Sequence, residues 1–369
     1  MRVLVTGGAG FIGSHIVDEL VRRGYSVRIM DNLDPQVHPG GKPPEYLNKQ
    51  AEFLLGNTTN PEDWTKALKC VDAVIHEAAS TGIGQSMYNP AKFHMSNTVG
   101  TALMYESIIN HKFPIKKIVV ASSKCIYGEG AYTCEEHGEV WPGQRPLAQM
   151  EEHDWELHCP KCGRHVKPIP ITEDKSPQNI SSYALSKYDQ ERLAVNFGHA
   201  LNIPTVALRY FNVYGPRQSL NNPYTGVTAI FSSRIKNNNP PVIYEDGLQT
   251  KDFIFVSDVV QANMLALEKG EGVKVYNVGW GIPITMLEIA NTLIRLYDSN
   301  VKPNVTREFR MGDNRHDFAD VSRIRKELGF RPTVSFSDGM KRLVEWGSTV
   351  KAEDRFEQAN KEFKAKLSR

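Results

Sequence analysis

Three glycines near the start of the chain, Gly7, Gly10 and Gly13, follow a short apolar run and open a helical pattern. Glycine permits a tight turn and close approach of backbone to a pyrophosphate. The helix N-terminus behind it offers N–H donors to the phosphate. Asp31 closes the next apolar run, where a carboxylate accepts hydrogen bonds from a ribose 2′-OH and repels a 2′-phosphate. A plain tight turn would carry the same glycines. The strand before, the helix after and the acid beyond favour a dinucleotide site, and NAD over NADP. Farther along, Tyr183 and Lys187 stand four positions apart on a predicted helix and share a face. A phenol, with a reference pKa of about 10, is a poor base at neutral pH. A neighbouring ammonium and the positive nicotinamide would stabilise the phenolate. Tyr183 could then pass a hydroxyl proton while hydride moves to or from NAD. Ser123, at the end of another predicted strand, could hydrogen-bond the same hydroxyl. Alone, this Tyr–Lys spacing is equally a solvated helix face; the glycine turn favours the catalytic reading.

Three of the five cysteines lie close together, with histidines among them. Cys134 and His137 form one pair with two residues between them. Cys159 and Cys162 form another, followed by Gly163, which allows a tight turn. Two such pairs suit a tetrahedral structural zinc, with His158 and His165 as alternatives for the fourth place. The rival readings are free surface thiols and a redox C-x-x-C. A redox motif usually opens a helix of a thioredoxin-like unit, and no such pattern surrounds this one.

These residues need a scaffold, and the apolar runs supply one. Runs at 2–5, 26–30, 52–55, 73–76, 117–121 and 205–209 are short, apolar and mostly β-branched, as buried parallel strands are. Helical patterns at 13–23, 97–111 and 182–200 lie between them. The alternation predicts an α/β fold: a Rossmann-like, doubly wound parallel sheet with a smaller C-terminal substrate-binding lobe. Residues 1–210 read as the NAD-binding domain, and 211–349 mainly as the lobe, from which the chain can return to the sheet. Residues 350–369 read as a charged, solvated terminal helix. The 369 residues hold 44 Lys and Arg against 42 Asp and Glu, a net charge of +2. That balance gives no field for nucleic acid or a membrane surface. No apolar run reaches the roughly 18–20 residues that span a bilayer. The apolar start is broken by glycines and lacks a cleavage site, so it reads as mature structure. Few cysteines and no export signal make the cytoplasm the expected location.

Several longer stretches are distinctive together: VTGGAGFIGSH at 5–15, HEAAS at 76–80, SSKCIYG at 122–128, YALSK at 183–187, RYFNVYGPRQ at 209–218, DFIFVSDVV at 252–260 and RMGDNRHDFADVS at 310–322. On these the chain resembles the extended short-chain dehydrogenases/reductases of the nucleotide-sugar epimerase and dehydratase group. The resemblance covers nearly the whole chain. It implies tightly held NAD, a nucleoside-diphosphate sugar substrate and a homodimer. It implies that Phe11, Ile12, Asn32, Thr58, Ala78, Ala79 and Asn97 line the cofactor, and that Asn212 holds a phosphate or sugar oxygen. Arg315 would pair with the diphosphate, where a guanidinium fork suits phosphate oxygens. Two positions depart from the family pattern. Asn57 stands where an acid often contacts adenine, and Lys251 where arginine is frequent, giving a point charge in place of a fork.

The residues after Ser123 bear on the reaction. Related 4,6-dehydratases place an Asp–Glu pair there, and related decarboxylases usually a Glu; here the places hold Lys124 and Cys125. Without the acid pair, water elimination lacks its general acid. Epimerisation at C4 needs only Tyr183 and NAD, with the keto-sugar turning over between two hydride transfers. The string CIY also resembles 3,5-epimerases and related synthases whose cysteine moves a proton next to the keto group. A thiol of pKa about 8.5 can serve as that acid or base, or Cys125 is simply a small buried residue. A net reductase and a catalytically silent NAD-binding regulator complete the alternatives, the intact Ser123, Tyr183 and Lys187 speaking against silence. The 56 positions between Tyr127 and Tyr183 exceed the usual family spacing, so about residues 130–170 read as an insertion carrying the metal candidates. Within the family, dTDP-L-rhamnose 4-epimerase-like proteins resemble the chain in such an insertion and in GPRQSL and NPYTG at 215–220 and 222–226.

Overall fold

The computed structural model describes residues 1–367. Seven strands, β1 (Arg2–Thr6), β2 (Ser26–Asp31), β3 (Glu52–Leu55), β4 (Ala73–His76), β5 (Lys117–Ser123), β6 (Thr205–Tyr210) and β7 (Val273–Val278), form one parallel sheet. Their order is β7-β6-β5-β4-β1-β2-β3. The winding reverses between β1 and β4, which opens a crevice at their carboxyl ends. Both faces are covered, which is why the strands are apolar at consecutive positions. Val3 and Val5 pack with Ile16 and Leu20 of the helix Phe11–Arg22 on one face. Leu4 packs with Trp64, Met104 and Ile108 on the other. The chain does return to the sheet after the lobe: β7, from the second half, lies beside β6.

The helix Ser182–Ala200 starts where the Ser181 side chain accepts the Ala184 N–H at 3.1 Å. It is bolted to the sheet by a buried polar chain. Glu191 accepts from Arg209 of β6 at 2.7 and 2.9 Å and from the Ser122 hydroxyl of β5 at 2.6 Å. The substrate lobe adds a smaller sheet. Asn212–Tyr214 runs parallel to Thr250–Phe255, which in turn pairs with Pro283–Thr285 and His316–Asp317. That last register sets Lys251 beside Asp317.

The insertion has its own three-stranded antiparallel sheet, Gly138–Val140, Ala131–Cys134 and Lys167–Ile169. A small core of Tyr132, Val140, Leu157 and Val166 lies under it with Cys134 and Cys159. Cross-strand pairing gathers this interior, which the irregular apolar spacing of the segment does not reveal. A buried ion cluster fastens it to the lobe. Arg315, 1% exposed, meets Glu156 of the insertion at 2.6 Å, Asp246 at 2.6 Å and Glu245 at 3.0 Å. Arg145 of the insertion closes on Glu245 at 2.7 Å.

The terminal segment departs from expectation. The helix Phe356–Leu367 is charged, but it is not solvated all round: Phe356, Ala359 and Phe363 form an inner stripe that faces the central cleft. Residues 368 and 369 of the expected helix lie outside the described residues.

Removing Arg315 would leave Glu245 with Arg145 alone and strip Asp246 and Glu156 of the guanidinium that joins them. Arg315→Met is expected to cost about 3–5 kcal/mol in urea unfolding. A loss under about 1 kcal/mol, the size of a surface pair, would show that the cluster does not hold the insertion.

Candidate active site

One cavity of about 1000 Å³ runs between the sheet edge and the lobe. At the sheet end lies the glycine turn. Gly7 has φ +67°, and a Cβ there would come within 2.8 Å of the Ala78 nitrogen, so only glycine lets the turn sit against the end of β4. Gly13 packs tighter still: a Cβ would meet the Gly7 carbonyl oxygen at 2.2 Å. The helix that follows has Gly10 as its N-cap, no side-chain cap and no acid in its first turn. Its first N–H groups are thus left to an outside anion. Asp31, nearly buried, accepts N–H bonds from Ala9 at 3.0 Å and Leu33 at 2.9 Å, which steady a carboxylate that also borders the cavity. Phe11, Ile12, Asn32, Thr58, Ala78 and Ala79 border it as well. An open cradle for phosphate, with an acid placed for a ribose, fits NAD.

At the middle, Ser123 ends β5, and the 3-10 turn Lys124–Tyr127 follows, with the Cys125 N–H donating to Ser123 Oγ at 3.2 Å. Ser123, Cys125 and Tyr183 border the cavity together. Lys187 stays behind them, its ammonium donating to the Ala121 carbonyl at 2.5 Å and to Gln190. Burial lowers Lys187 to about 8, against the attraction of Glu77, Glu191 and Cys125. The phenol differs from expectation. Burial, and then the nearby Cys125, push Tyr183 above the ordinary range, and a hydrogen bond from Ser123 only partly offsets them. Desolvation dominates, so Tyr183 stands protonated.

At the lobe end the expected residues divide. Asn212 borders the cavity and donates to the Asp252 carbonyl at 2.8 Å. Lys251 borders it too, its ammonium held by Asp317 and the Asn314 carbonyl at 2.7 Å each. Lys124 donates to both oxygens of the same Asp317 at 2.7 Å, so one buried carboxylate places two ammonium groups. Arg315 is not part of the wall: its fork is spent on the carboxylates of the ion cluster, and the diphosphate role falls away from it. Arg310, five positions earlier in the same motif, borders the cavity, its guanidinium 4.5 Å from the Tyr244 ring and its Nε donating to Asp313 at 2.9 Å. Both arginines stand in RMGDNR, and only the path of the chain decides which one faces in.

Two further expectations are displaced. Asn57 is exposed and accepts the Thr59 N–H at 3.1 Å, closing its own turn outside the cavity wall. Asn97 is fully buried and works one layer back: its amide brackets Ser80, accepting its N–H at 2.7 Å and donating to its carbonyl at 3.0 Å. It also donates to Ser186 at 3.0 Å, next to Lys187, tying the loop after β4 to the helix that carries Tyr183. Glu77, in the HEAAS stretch, was not anticipated. It borders the cavity and accepts from Tyr210 at 2.7 Å, and burial raises its carboxyl to about 7.

The insertion brings its four candidates together. Cys134 Sγ lies 3.6 Å from His137 Nδ1 and 3.7 Å from Cys162 Sγ, and Cys159 Sγ lies 3.6 Å from His137 Nδ1. His158 and His165 are not in this set; they face each other across an isolated bridge, near Asp154.

Comparison with known proteins agrees with this geometry. The model of the NAD dependent epimerase/dehydratase family matches residues 3–150, and that of GDP-mannose 4,6 dehydratase matches residues 163–343. The chain is 34% identical to the dTDP-L-rhamnose 4-epimerase of Burkholderia thailandensis over 94% of both chains. The UDP-glucose 4-epimerase of Thermotoga maritima, solved with UDP-glucose, is 33% identical, with a TM-score of 0.76 over 94% of this chain and 98% of that one. The Thermus thermophilus UDP-glucose 4-epimerase, solved with NAD, is 30% identical, with a TM-score of 0.75 over 95% and 100%. With its glycine cradle, its Ser–Tyr–Lys group and this likeness along nearly its whole length, the chain belongs to the NAD-dependent epimerase/dehydratase family of extended short-chain dehydrogenases/reductases.

Proposed function

We propose that the chain is an NAD-dependent epimerase of a nucleoside-diphosphate sugar, acting at C4 through a transient 4-keto sugar. The observation that carries this reading is the single cavity in which the dinucleotide cradle, Ser123 with Tyr183, and a cationic wall of Lys251 and Arg310 face one another. NAD, when bound, supplies the hydride acceptor and a positive ring beside the phenol. Ser123 orients the C4 hydroxyl, Tyr183 accepts its proton and later returns it, and Lys187 carries the positive charge that favours the phenolate. Lys251 and Arg310 hold the diphosphate while the sugar turns its other face. Lys124 and Cys125 stand where an acid pair would be needed for elimination, which favours epimerisation over dehydration. The likeness to the Burkholderia 4-epimerase favours a 6-deoxyhexose on a pyrimidine nucleotide.

Two accessory features belong to the same reading. Met95, Val99 and Leu185 are exposed on the packed helical segments that carry Asn97 and Tyr183, and an apolar face of this kind suits a homodimer. We assign structural zinc to Cys134, His137, Cys159 and Cys162. A tetrahedron with Zn–S of about 2.3 Å and Zn–N of about 2.1 Å has edges of about 3.6–3.8 Å; three of the six separations here are 3.6–3.7 Å, and all four ligand atoms lie within 4.8 Å of one another. Four protein ligands leave no open position, so the ion would hold the insertion in shape and activate no water. No helix among the described residues is long and apolar enough to cross a membrane, and the reading is of a cytoplasmic enzyme.

Tyr183→Phe should keep the fold and lose turnover of UDP- or dTDP-sugars by about 10²–10⁴-fold. In D2O the wild-type product should carry no deuterium on carbon by NMR, because the hydride stays within the enzyme. Deuterium at C3 or C5 that vanishes in Cys125→Ala would instead assign a 3,5-epimerase. Turnover should decline as pH rises through about 8, where Lys187 loses its proton; a profile level to about pH 10, the ordinary lysine range, would show that burial does not lower Lys187 in the working enzyme. Untagged protein should hold about one zinc per chain. Cys159→Ser with Cys162→Ser should release it and open the insertion to protease while NAD binding persists. Well-folded, reduced protein without stoichiometric zinc would end the assignment.

A further inference from the structure

The segment after residue 349 crosses the cleft. Its first part is anchored to the helix Val227–Lys236 of the lobe. Lys236 donates to the Val350 carbonyl at 2.5 Å, Asn237 to Ala352 at 3.0 Å and Ser233 to Glu353 at 3.2 Å. Arg234, almost buried, pairs with Asp354 at 3.4 Å and Glu357 at 3.2 Å and lies over the Phe356 ring at 4.6 Å. From there the helix Phe356–Leu367 runs to the opposite bank, the helix Ile83–Tyr88 that follows β4. At that end Tyr88 donates to the Tyr224 hydroxyl at 2.8 Å and Tyr224 to Glu362 at 2.9 Å. Lys366 sits over the Tyr88 ring at 4.5 Å, and the Phe363 ring packs against Gly84, where a Cβ would stand 3.6 Å away.

The two ends differ in strength. The lobe end rests on a buried guanidinium and on backbone carbonyls. The far end rests on Glu362 and Lys366, both more than two-fifths exposed, and on one aromatic ring. Exposed pairs contribute little each, so the far end is the one that can lift. The face turned to the cavity carries Phe356, Ala359, Asn360 and Phe363. Beyond its midpoint the helix comes near the same wall: Lys364, next to Phe363, lies 3.9 Å from Glu308, two positions before the Arg310 that borders the cavity with Tyr244. Two aromatic rings with an amide between them match a pyrimidine nucleoside, which offers a flat face and an edge of C=O and N–H groups.

We propose that the C-terminal helix is the outer wall of the nucleoside subsite, and that Phe363 and Asn360 bind the base of the nucleotide sugar from outside. This rests on the reading of the substrate as a nucleoside-diphosphate sugar. The helix spans both banks, so ligand enters when the Tyr224–Glu362 latch opens and is enclosed when it shuts. Relative to the reacting atoms these are binding residues: they act on capture of the substrate and leave the proton relay untouched.

Calorimetric titration of the full-length protein with UDP and with dTDP tests the proposal. Phe363→Ala should weaken the binding of whichever nucleotide the wild type takes by about tenfold to a hundredfold, the worth of one buried aromatic contact. KM for the nucleotide sugar should rise in step, kcat should change less than KM, and the content of bound NAD should not change. Glu362→Gln keeps every ring and loosens only the latch; it should speed nucleotide release in stopped-flow with a smaller loss of affinity. Lys361→Ala, exposed and away from the cavity wall, should match the wild type. Wild-type nucleotide affinity in both Phe363→Ala and Glu362→Gln, or loss of NAD in place of nucleotide, would overturn the wall while leaving the epimerase reading standing. Failure of the wild type itself to bind UDP or dTDP would instead overturn the substrate reading, and the wall with it.

Discussion

The constraint on which this structure depends is the close approach of the turn after β1 to the start of the chain after β4. Gly7 and Ala78 are so near that a single added carbon would lie 2.8 Å from backbone nitrogen. That contact sits where the winding of the parallel sheet reverses, and the reversal leaves a crevice that no helix fills. The dinucleotide cradle lies at one side of the crevice. Ser123 ends the strand next to β4, and Tyr183 heads the helix packed behind it. The lobe can cover the crevice only because the chain leaves the sheet after β6 and comes back as β7.

A second layer of order is electrostatic. Buried carboxylates serve as fixed points to which cations from distant segments are tied. Glu191 joins the helix Ser182–Ala200 to β6, Asp317 gathers Lys124 and Lys251, and Glu245 gathers Arg145 and Arg315. Such pairs add little to stability compared with well-packed apolar groups, but an unmatched member is costly, so they select one arrangement of loops. Arg315 and His316 stand beside Asp317, and both also touch Glu156 of the insertion. The insertion is therefore coupled in space to the two lysines that Asp317 holds. The insertion is thus no free appendage, though it interrupts the path from Ser123 to Tyr183.

Much was legible in the residues alone. The strands, apolar on both faces, declare a covered parallel sheet. The helix with Tyr183 and Lys187 stands at 182–200 as its pattern indicates, and Gly7, Gly10, Gly13 and Asp31 border the central cavity. These features are local: a turn, a strand or a helical spacing is encoded within a few residues. The short spacing of their pairs also led to the expectation that Cys134, His137, Cys159 and Cys162 meet, and the fold sets them within 4.8 Å of one another; that His158 and His165 pair apart from them depends on the bridge between their two segments.

What only the tertiary structure decided concerns which way a long side chain points and what it meets. Arg310 and Arg315 occur in one short motif with the same charge, yet one faces the cavity and the other is enclosed by three carboxylates from distant segments. Asn97 and Asn57 are alike as letters, but one brackets the cofactor loop from behind and the other closes its own turn. The phenol of Tyr183 is raised, not lowered, because desolvation is set by everything packed around it and not by the lysine one turn away. The terminal helix looked solvated because its charges are local and its partners are not: Tyr88, Tyr224 and Arg234 come from three separate places. Sequence determines the local chemistry within reach of a turn or a helix. Burial and long-range pairing depend on the whole fold, and they decide which of those groups the cavity sees.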